Sequence, residues 1–292
     1  MESLFRWSKN VDEEHLESWE ARLIMDEVPH SAEKQIHRRR WQLSSYTSTR
    51  DEAEVLKSRY GGGVTEVRPE DWQPTSETGA ETRIKIRDRL LVTEANDEET
   101  LGQLREEFPA RIVLSFPPQL AFGTGGHPTT SGCLRFLVDV AKRKDRQEWS
   151  LLDLGCGSGI LAVAAALLGA KRVVAVELDP MALKYARLNA ERHGLEERIE
   201  FLDADAIALI DEVRLGRFDV VAANLFSELL MQLFPSLPHN LEDQGEVIVS
   251  GFLTSQTRAI SDAARSSGIP LDNFLRRGKW VAAQGGGYDL RR

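Results

Sequence analysis

The sequence predicts an α/β protein, a doubly wound, mostly parallel sheet preceded by a small α+β unit. Three observations carry that prediction. Short β-branched runs alternate with helix-like stretches over residues 151–250, as in a parallel sheet covered by helices on both faces. Residues 151–179 read as strand, tight glycine turn, helix and strand, the unit of a right-handed parallel crossover. Before residue 70 the elements are mixed in a short span, with one helix between strands.

Taken in order, residues 1–40 are charged and interrupted, and a helix is expected over 11–25 with Leu16, Trp19, Leu23 and Ile24 on one face. Arg38, Arg39 and Arg40 read as a solvated basic run ahead of a strand at 41–47, with a contact patch as the alternative. A helix over 50–60 ends at Gly61-Gly62-Gly63, a strand follows at 64–67, and no strand is evident before Trp41. These elements make a small N-terminal domain at residues 1–70. Pro69, Pro74 and Gly79 among polar residues mark a linker, and the region 71–105 is assigned to it. Inside that region Ile84, Ile86, Leu90 and Leu91 suggest a strand or hairpin, and 98–108 a short helix.

The main domain takes residues 106–292. It opens with a strand at 111–116, stopped by Pro117-Pro118, and a helix over 131–141. Pro128 suits the first turn of that helix, where its missing N–H has no intrahelical partner. After the central unit come a helix at 181–193 closed by Gly194 and a strand at 199–202 leading to Asp203 and Asp205. A strand at 218–223 ends in Asn224, followed by a helix at 229–237, a strand at 246–250 and a helix at 254–267. An antiparallel pair over 274–284, turning at Arg277-Gly278, closes the chain, with Trp280 in its core.

The chemistry follows from the central unit. Gly155, Gly157 and Gly159 let a ligand approach the backbone, and the N–H groups of a helix start favour an anionic group. A carboxylate ending the second strand, about twenty residues on, accepts hydrogen bonds from ribose hydroxyls, and Glu177 fills that position. Ligands of such sheets sit at the carboxyl ends of the strands, where Glu177, Asp205 and Asn224 fall. An adenosine derivative is therefore expected. The dinucleotide fingerprint needs a glycine at position 160, where Ile160 stands, so an NAD-dependent dehydrogenase fits poorly. A plain βα turn that binds nothing is the simpler alternative.

Two strings sharpen the reading: Ala121-Phe-Gly-Thr-Gly-Gly-His-Pro-Thr-Thr130, and Asp153-Leu-Gly-Cys-Gly-Ser-Gly-Ile-Leu161, followed by Asn224-Leu225 after a strand. Together they resemble the ribosomal protein L-11 methyltransferase (PrmA-type) family over about residues 111–250. The second string alone resembles motif I of S-adenosylmethionine-dependent methyltransferases in general. The resemblance implies a seven-stranded class I methyltransferase (Rossmann-like) domain with S-adenosyl-L-methionine as cofactor and contacts at Thr130, Gly155, Gly157, Glu177 and Asn224. It implies methylation of lysine side chains and the α-amino group of ribosomal protein L-11, recognised by the N-terminal domain. This chain departs from the family in Gly126 for Thr, in Phe116-Pro117-Pro118-Gln119 for a DPG tripeptide, and in Glu177 for Asp.

Individual roles follow. Asn224 is expected to orient the acceptor amine through its side-chain carbonyl, with a polar strand end capping the following turn as the alternative, and Thr130 either to bond the methionine portion or to start its helix. Asp205 approaches adenine, with Asp203 competing for the role and a turn residue as the alternative for both. His127 has no partners at metal-ligand spacing and reads as a hydrogen-bonded loop residue, and no metal is expected. Phe122 with Gly123 and Gly125 suggests a hinged lid.

Composition bounds the rest. The 292 residues suffice for one large domain or two, with 41% hydrophobic and 28% charged residues. A formal charge of −9 argues against nonspecific nucleic-acid binding and suits a basic protein substrate. No apolar run reaches the roughly 18 residues of a membrane span, and Met1 precedes no secretory signal. With Cys133 and Cys156 as the only cysteines, a reducing cytoplasm is expected. A methyltransferase of another protein lysine or of a small molecule, and a non-catalytic cofactor-binding scaffold, remain as alternatives.

Overall fold

The computed structural model describes residues 4–26, 28, 30–34, 40–47, 49–67, 83–118, 125–144, 147–211 and 215–286. It divides into two compact units, Met1–Thr78 and Gly79–Arg292.

The smaller unit is a four-stranded antiparallel sheet. Its elements are β1 (Leu4–Asp12), α1 (Leu16–Met25), β2 (Ser31–Lys34), β3 (Arg40–Thr47), α2 (Arg50–Tyr60) and β4 (Gly63–Val67), with strand order β2-β3-β1-β4. β1 overturns the expectation of no strand before Trp41, and it shortens the helix expected over 11–25, since Val11 belongs to the strand. The period-2 signal was present: Trp7 and Val11 are buried and alternate with Arg6, Ser8 and Asn10. Lys9 obscured it, an inward-facing lysine whose Nζ donates to Tyr60 O at 2.8 Å and lies 4.4 Å from the Trp19 ring centre. α2 is set by a capping box: the Thr49 hydroxyl accepts from Glu52 N–H, and the Glu52 carboxylate accepts from Thr49 N–H. Arg40 opens β3 and pairs with Asp12 at 3.0 Å, while Arg38 and Arg39 lie outside the described residues.

The larger unit begins with β5 (Arg83–Ile86), β6 (Leu90–Thr93), α3 (Glu98–Glu107) and β7 (Ile112–Ser115), a hairpin joined by a parallel crossover in a three-stranded sheet. This differs from the assignment of 71–105 to a linker. Ile86, Leu90, Val92, Leu114 and Phe116 are buried in one core with residues of the central helices, so residues 83–107 are structural parts of this unit. Charged residues spaced among single apolar ones hid that role.

The main sheet contains β8 (Ser150–Leu154), β9 (Arg172–Glu177), β10 (Ile199–Asp203), β11 (Phe218–Asn224), β12 (Leu241–Leu253), β13 (Leu271–Arg277) and β14 (Trp280–Gly286). Their order is β10-β9-β8-β11-β12-β14-β13, parallel from β10 to β12, with β14 antiparallel to both of its neighbours. α4 (Pro128–Arg143), α5 (Ile160–Leu167) and α6 (Pro180–Arg192) cover one face, and α7 (Ala206–Asp211), α8 (Ser227–Leu233) and α9 (Thr257–Ser266) the other. Alternate strand residues feed the two cores: Val173, Ala175, Val220 and Ala222 one, Val174, Val176, Val221 and Ala223 the other. Burial on both faces explains the near-continuous apolar runs. The order changes direction between β8 and β11, so the site is expected at their carboxyl ends. α4 lies close on the sheet because Gly132 faces Ala282, whose Cβ would be 2.6 Å from a Cβ at position 132. Among the described residues, no helix is long and apolar enough to cross a membrane.

Candidate active site

The turn after β8 is shaped by glycine. Gly155, Gly157 and Gly159 have φ of 69°, 54° and 77°, in the left-handed region that side chains disfavour. A Cβ on Gly155 would also lie 2.4 Å from Leu225 Cδ2, so the Leu225 side chain packs into the space that glycine leaves.

Glu177 is drawn into this turn. Its Oε2 accepts from Gly157 N–H at 2.8 Å, and its Oε1 accepts from Leu178 and Asp179 N–H, both at 3.0 Å. Three backbone donors hold the carboxylate at the end of β9. A carboxylate offers about four acceptor positions, which leaves capacity for a hydroxyl. Asp153, fully buried beneath the turn, accepts from Ala162 N–H at 3.2 Å. Burial, opposed by that hydrogen bond and reinforced by the Glu177 charge, pushes its carboxyl up to about 7. Burial and the neighbouring Asp153 also hold the Cys133 thiol above its usual range, so Cys133 is packing.

Across the switch point, Thr130 is buried in the first turn of α4, and Asn224 Nδ2 donates to its Oγ1 at 3.4 Å. Asn224 Oδ1 is buried and has no hydrogen-bond partner among the described residues. An unmet buried acceptor is costly and points to a ligand. The two residues are 94 positions apart, and only the fold joins them.

The other residues singled out in the sequence take quieter positions. Asp205 caps α7, its Oδ1 accepting from Ile207 and Ala208 N–H at 2.7 and 3.2 Å, and both it and Asp203 are exposed. His127 caps α4: Nδ1 lies 2.7 Å from Thr129 Oγ1 and accepts from Thr129 N–H at 3.4 Å. Burial, helped by Lys279, lowers its pKa to about 4. Its ring meets the half-buried Trp280 edge-on, 5.0 Å between centres. Phe122 and Gly123 of the expected lid lie outside the described residues, whereas Gly125 is described, with φ of 88° and Val92 where a Cβ would fall.

Sequence reasoning missed the groups that hold the end of β11. Leu225 N–H donates to Ser250 O at 3.0 Å, and Gln256 bridges Leu253 N–H and Ser227 Oγ at 2.7 and 2.8 Å. No local pattern signals a glutamine acting across 29 residues.

A seven-stranded sheet in this order, a glycine turn after β8, an acidic end to β9 and a polar end to β11 define a class I methyltransferase domain. The comparisons agree and go further. The sequence profile of "Ribosomal protein L11 methyltransferase (PrmA)" matches residues 10–286. A ribosomal protein L11 methyltransferase of Pelobacter propionicus is 34% identical over 220 residues, 75% of this chain and 67% of the relative. One from Methylococcus capsulatus is 40% identical over 174 residues, 60% of this chain and 56% of the relative. The crystal structure of a ribosomal protein L11 methylase from Lactobacillus delbrueckii subsp. bulgaricus superposes with a TM-score of 0.58 at 28% identity. That match covers 70% of this chain and 98% of that one. The chain belongs to the ribosomal protein L11 methyltransferase family. The matches span 56% and 67% of the lengths of these two curated relatives.

Proposed function

We propose that the protein transfers a methyl group from S-adenosyl-L-methionine to protein amines, lysine side chains and the α-amino group, of ribosomal protein L11. The unmet Asn224 Oδ1 beside the glycine turn is the observation that carries this reading. The residues present fit the cofactor. The left-handed turn at Gly155 and Gly157 would turn backbone groups towards the methionine portion, the Thr130 hydroxyl lies beside Asn224, and Glu177 has acceptor capacity for ribose hydroxyls. Adenine then lies towards the end of β10. There Asp205 is already engaged in capping α7, and Asp203 remains its competitor.

When bound, the cofactor supplies an electrophilic methyl on a sulfonium whose departure needs no acid. The work of the chain is alignment. Asn224 Oδ1 accepts an N–H of the neutral amine and so directs the nitrogen lone pair at the methyl carbon. The methylated amine would carry one proton too many, which it would release to solvent. An amine must reach this point unprotonated, because only its lone pair is nucleophilic. The N-terminal unit is assigned to substrate recognition and the reaction to the cytoplasm, where ribosomal proteins are made.

The test is incubation with methyl-labelled S-adenosylmethionine and recombinant ribosomal protein L11, read by mass spectrometry. Label on lysine or the N-terminus is the expected result. Cofactor binding without label on L11, but with label on another lysate protein, would move the substrate and keep the chemistry.

A further inference from the structure

Among the described residues of the larger unit, five large apolar side chains are exposed: Leu178, Met181, Leu188, Phe226 and Met231. Four of them follow the carboxyl ends of two strands, Leu178 and Met181 after Glu177 of β9, Phe226 and Met231 after Asn224 of β11. Single exposed hydrophobics need no explanation, whereas several at the mouth of a site indicate what that mouth receives.

Phe226 is 52% exposed, yet its backbone is held on every side. Leu225 N–H is fixed to Ser250 O, and Phe226 O accepts from Leu230 N–H at 3.0 Å to begin α8. The buried Ser227 is fixed by Gln256. Gly251, with φ of 98°, lies so close below that a Cβ there would sit 2.2 Å from Leu225 O. Such a turn has little freedom to withdraw an aromatic ring from water. The exposure is built in, two residues beyond the unmet Asn224 Oδ1, and Glu228 places a negative charge in the same first turn of α8.

We propose that Phe226 is a specificity-determining residue of the acceptor side, its ring covering the aliphatic stem of an incoming lysine, with Gln256 as the positioning residue behind it. The inference rests on the amine-methyltransferase reading above. Lysine carries a compact charge on a flexible four-carbon stem that packs on apolar surface. A neighbouring carboxylate draws the charged form to the rim, and the ring then retains the stem as the amine advances to Asn224. Removing the ring leaves the amine's bond to Asn224 in place and the stem in water, so binding weakens and the chemical step does not.

The test is methyl transfer to recombinant ribosomal protein L11, with lysine ε-amines and the N-terminal α-amine counted separately by mass spectrometry. The α-amine has no alkyl stem and is the internal control. Phe226→Ala is expected to raise KM for lysine transfer about tenfold, the factor carried by uncovering about two methylene groups, with kcat and cofactor affinity within about twofold. The ratio of lysine to α-amine label falls with it, Phe226→Leu restores most of the loss, and Gln256→Leu gives an intermediate KM. An unchanged lysine KM in Phe226→Ala, or an equal fall in lysine and α-amine label, overturns the assignment while amine methylation stands. Wild-type protein that binds the cofactor and labels no amine overturns the methyltransferase reading and this assignment with it.

Discussion

Replacing Asn224 by leucine is expected to make the unliganded protein more stable and to abolish its activity. The buried Oδ1 has no partner among the described residues, and an unmet buried acceptor costs about 1–3 kcal/mol. Against this stands the Nδ2 bond to Thr130 Oγ1, which at 3.4 Å is long and belongs at the low end of the roughly 0.5–1.5 kcal/mol of a net hydrogen bond. Leucine matches the branching of asparagine and removes both polar atoms. The balance is about 1 kcal/mol in favour of the variant, or a rise in Tm of about 2–4 °C for a unit of this size. Thermal unfolding without cofactor measures it, alongside methyl transfer, which should fall by about a hundredfold or more once the amine is no longer aligned. A Tm at or below that of the wild type would mean that Oδ1 is already satisfied, and the reason for assigning it to the acceptor would be gone.

Other expectations concern the turn beneath. Glu177→Ala removes the acceptor of three backbone N–H groups, so calorimetric titration should show cofactor Kd rising at least about tenfold, with kcat at saturating cofactor changing less. Asp153 bears on pH. Its folded pKa, about 7, lies above the ordinary value of 3.8, so its contribution to stability is fully present below about pH 4 and is lost as pH rises through about 7. Asp153→Asn keeps an acceptor for Ala162 N–H and does not titrate. The stability difference between variant and wild type, from denaturant titrations at successive pH values, should therefore grow by up to about 1.4 kcal/mol per pH unit across that window. A difference independent of pH would place the Asp153 carboxyl in its ordinary range.

The βαβ core is legible in the linear chain. The runs at β8, β9 and β11 are apolar throughout because both faces of a parallel sheet are buried, and the glycines at 155, 157 and 159 announce a turn with left-handed backbone. The acidic end of β9 and the asparagine ending β11 are local features of chain and spacing, and both were legible. The small unit was half legible. α2 announces itself through Thr49 and Glu52, whereas β1 was hidden by an inward lysine that only Tyr60 and Trp19 make tolerable. β5, β6 and α3 are legible as a hairpin and a helix, but their place in the larger unit shows only when Ile86, Leu90 and Val92 are seen joining the core of α4. α7, six residues long, is recognisable mainly by its Asp205 cap. Tertiary structure alone decided which polar groups are satisfied. His127 and Asp205 are occupied as helix caps, Glu177 is turned back onto Gly157, and Asn224 keeps an acceptor with no partner. Whether a side chain serves the fold or is left for a ligand depends on partners brought from 20, 29 or 94 residues away, and a linear pattern does not record such meetings.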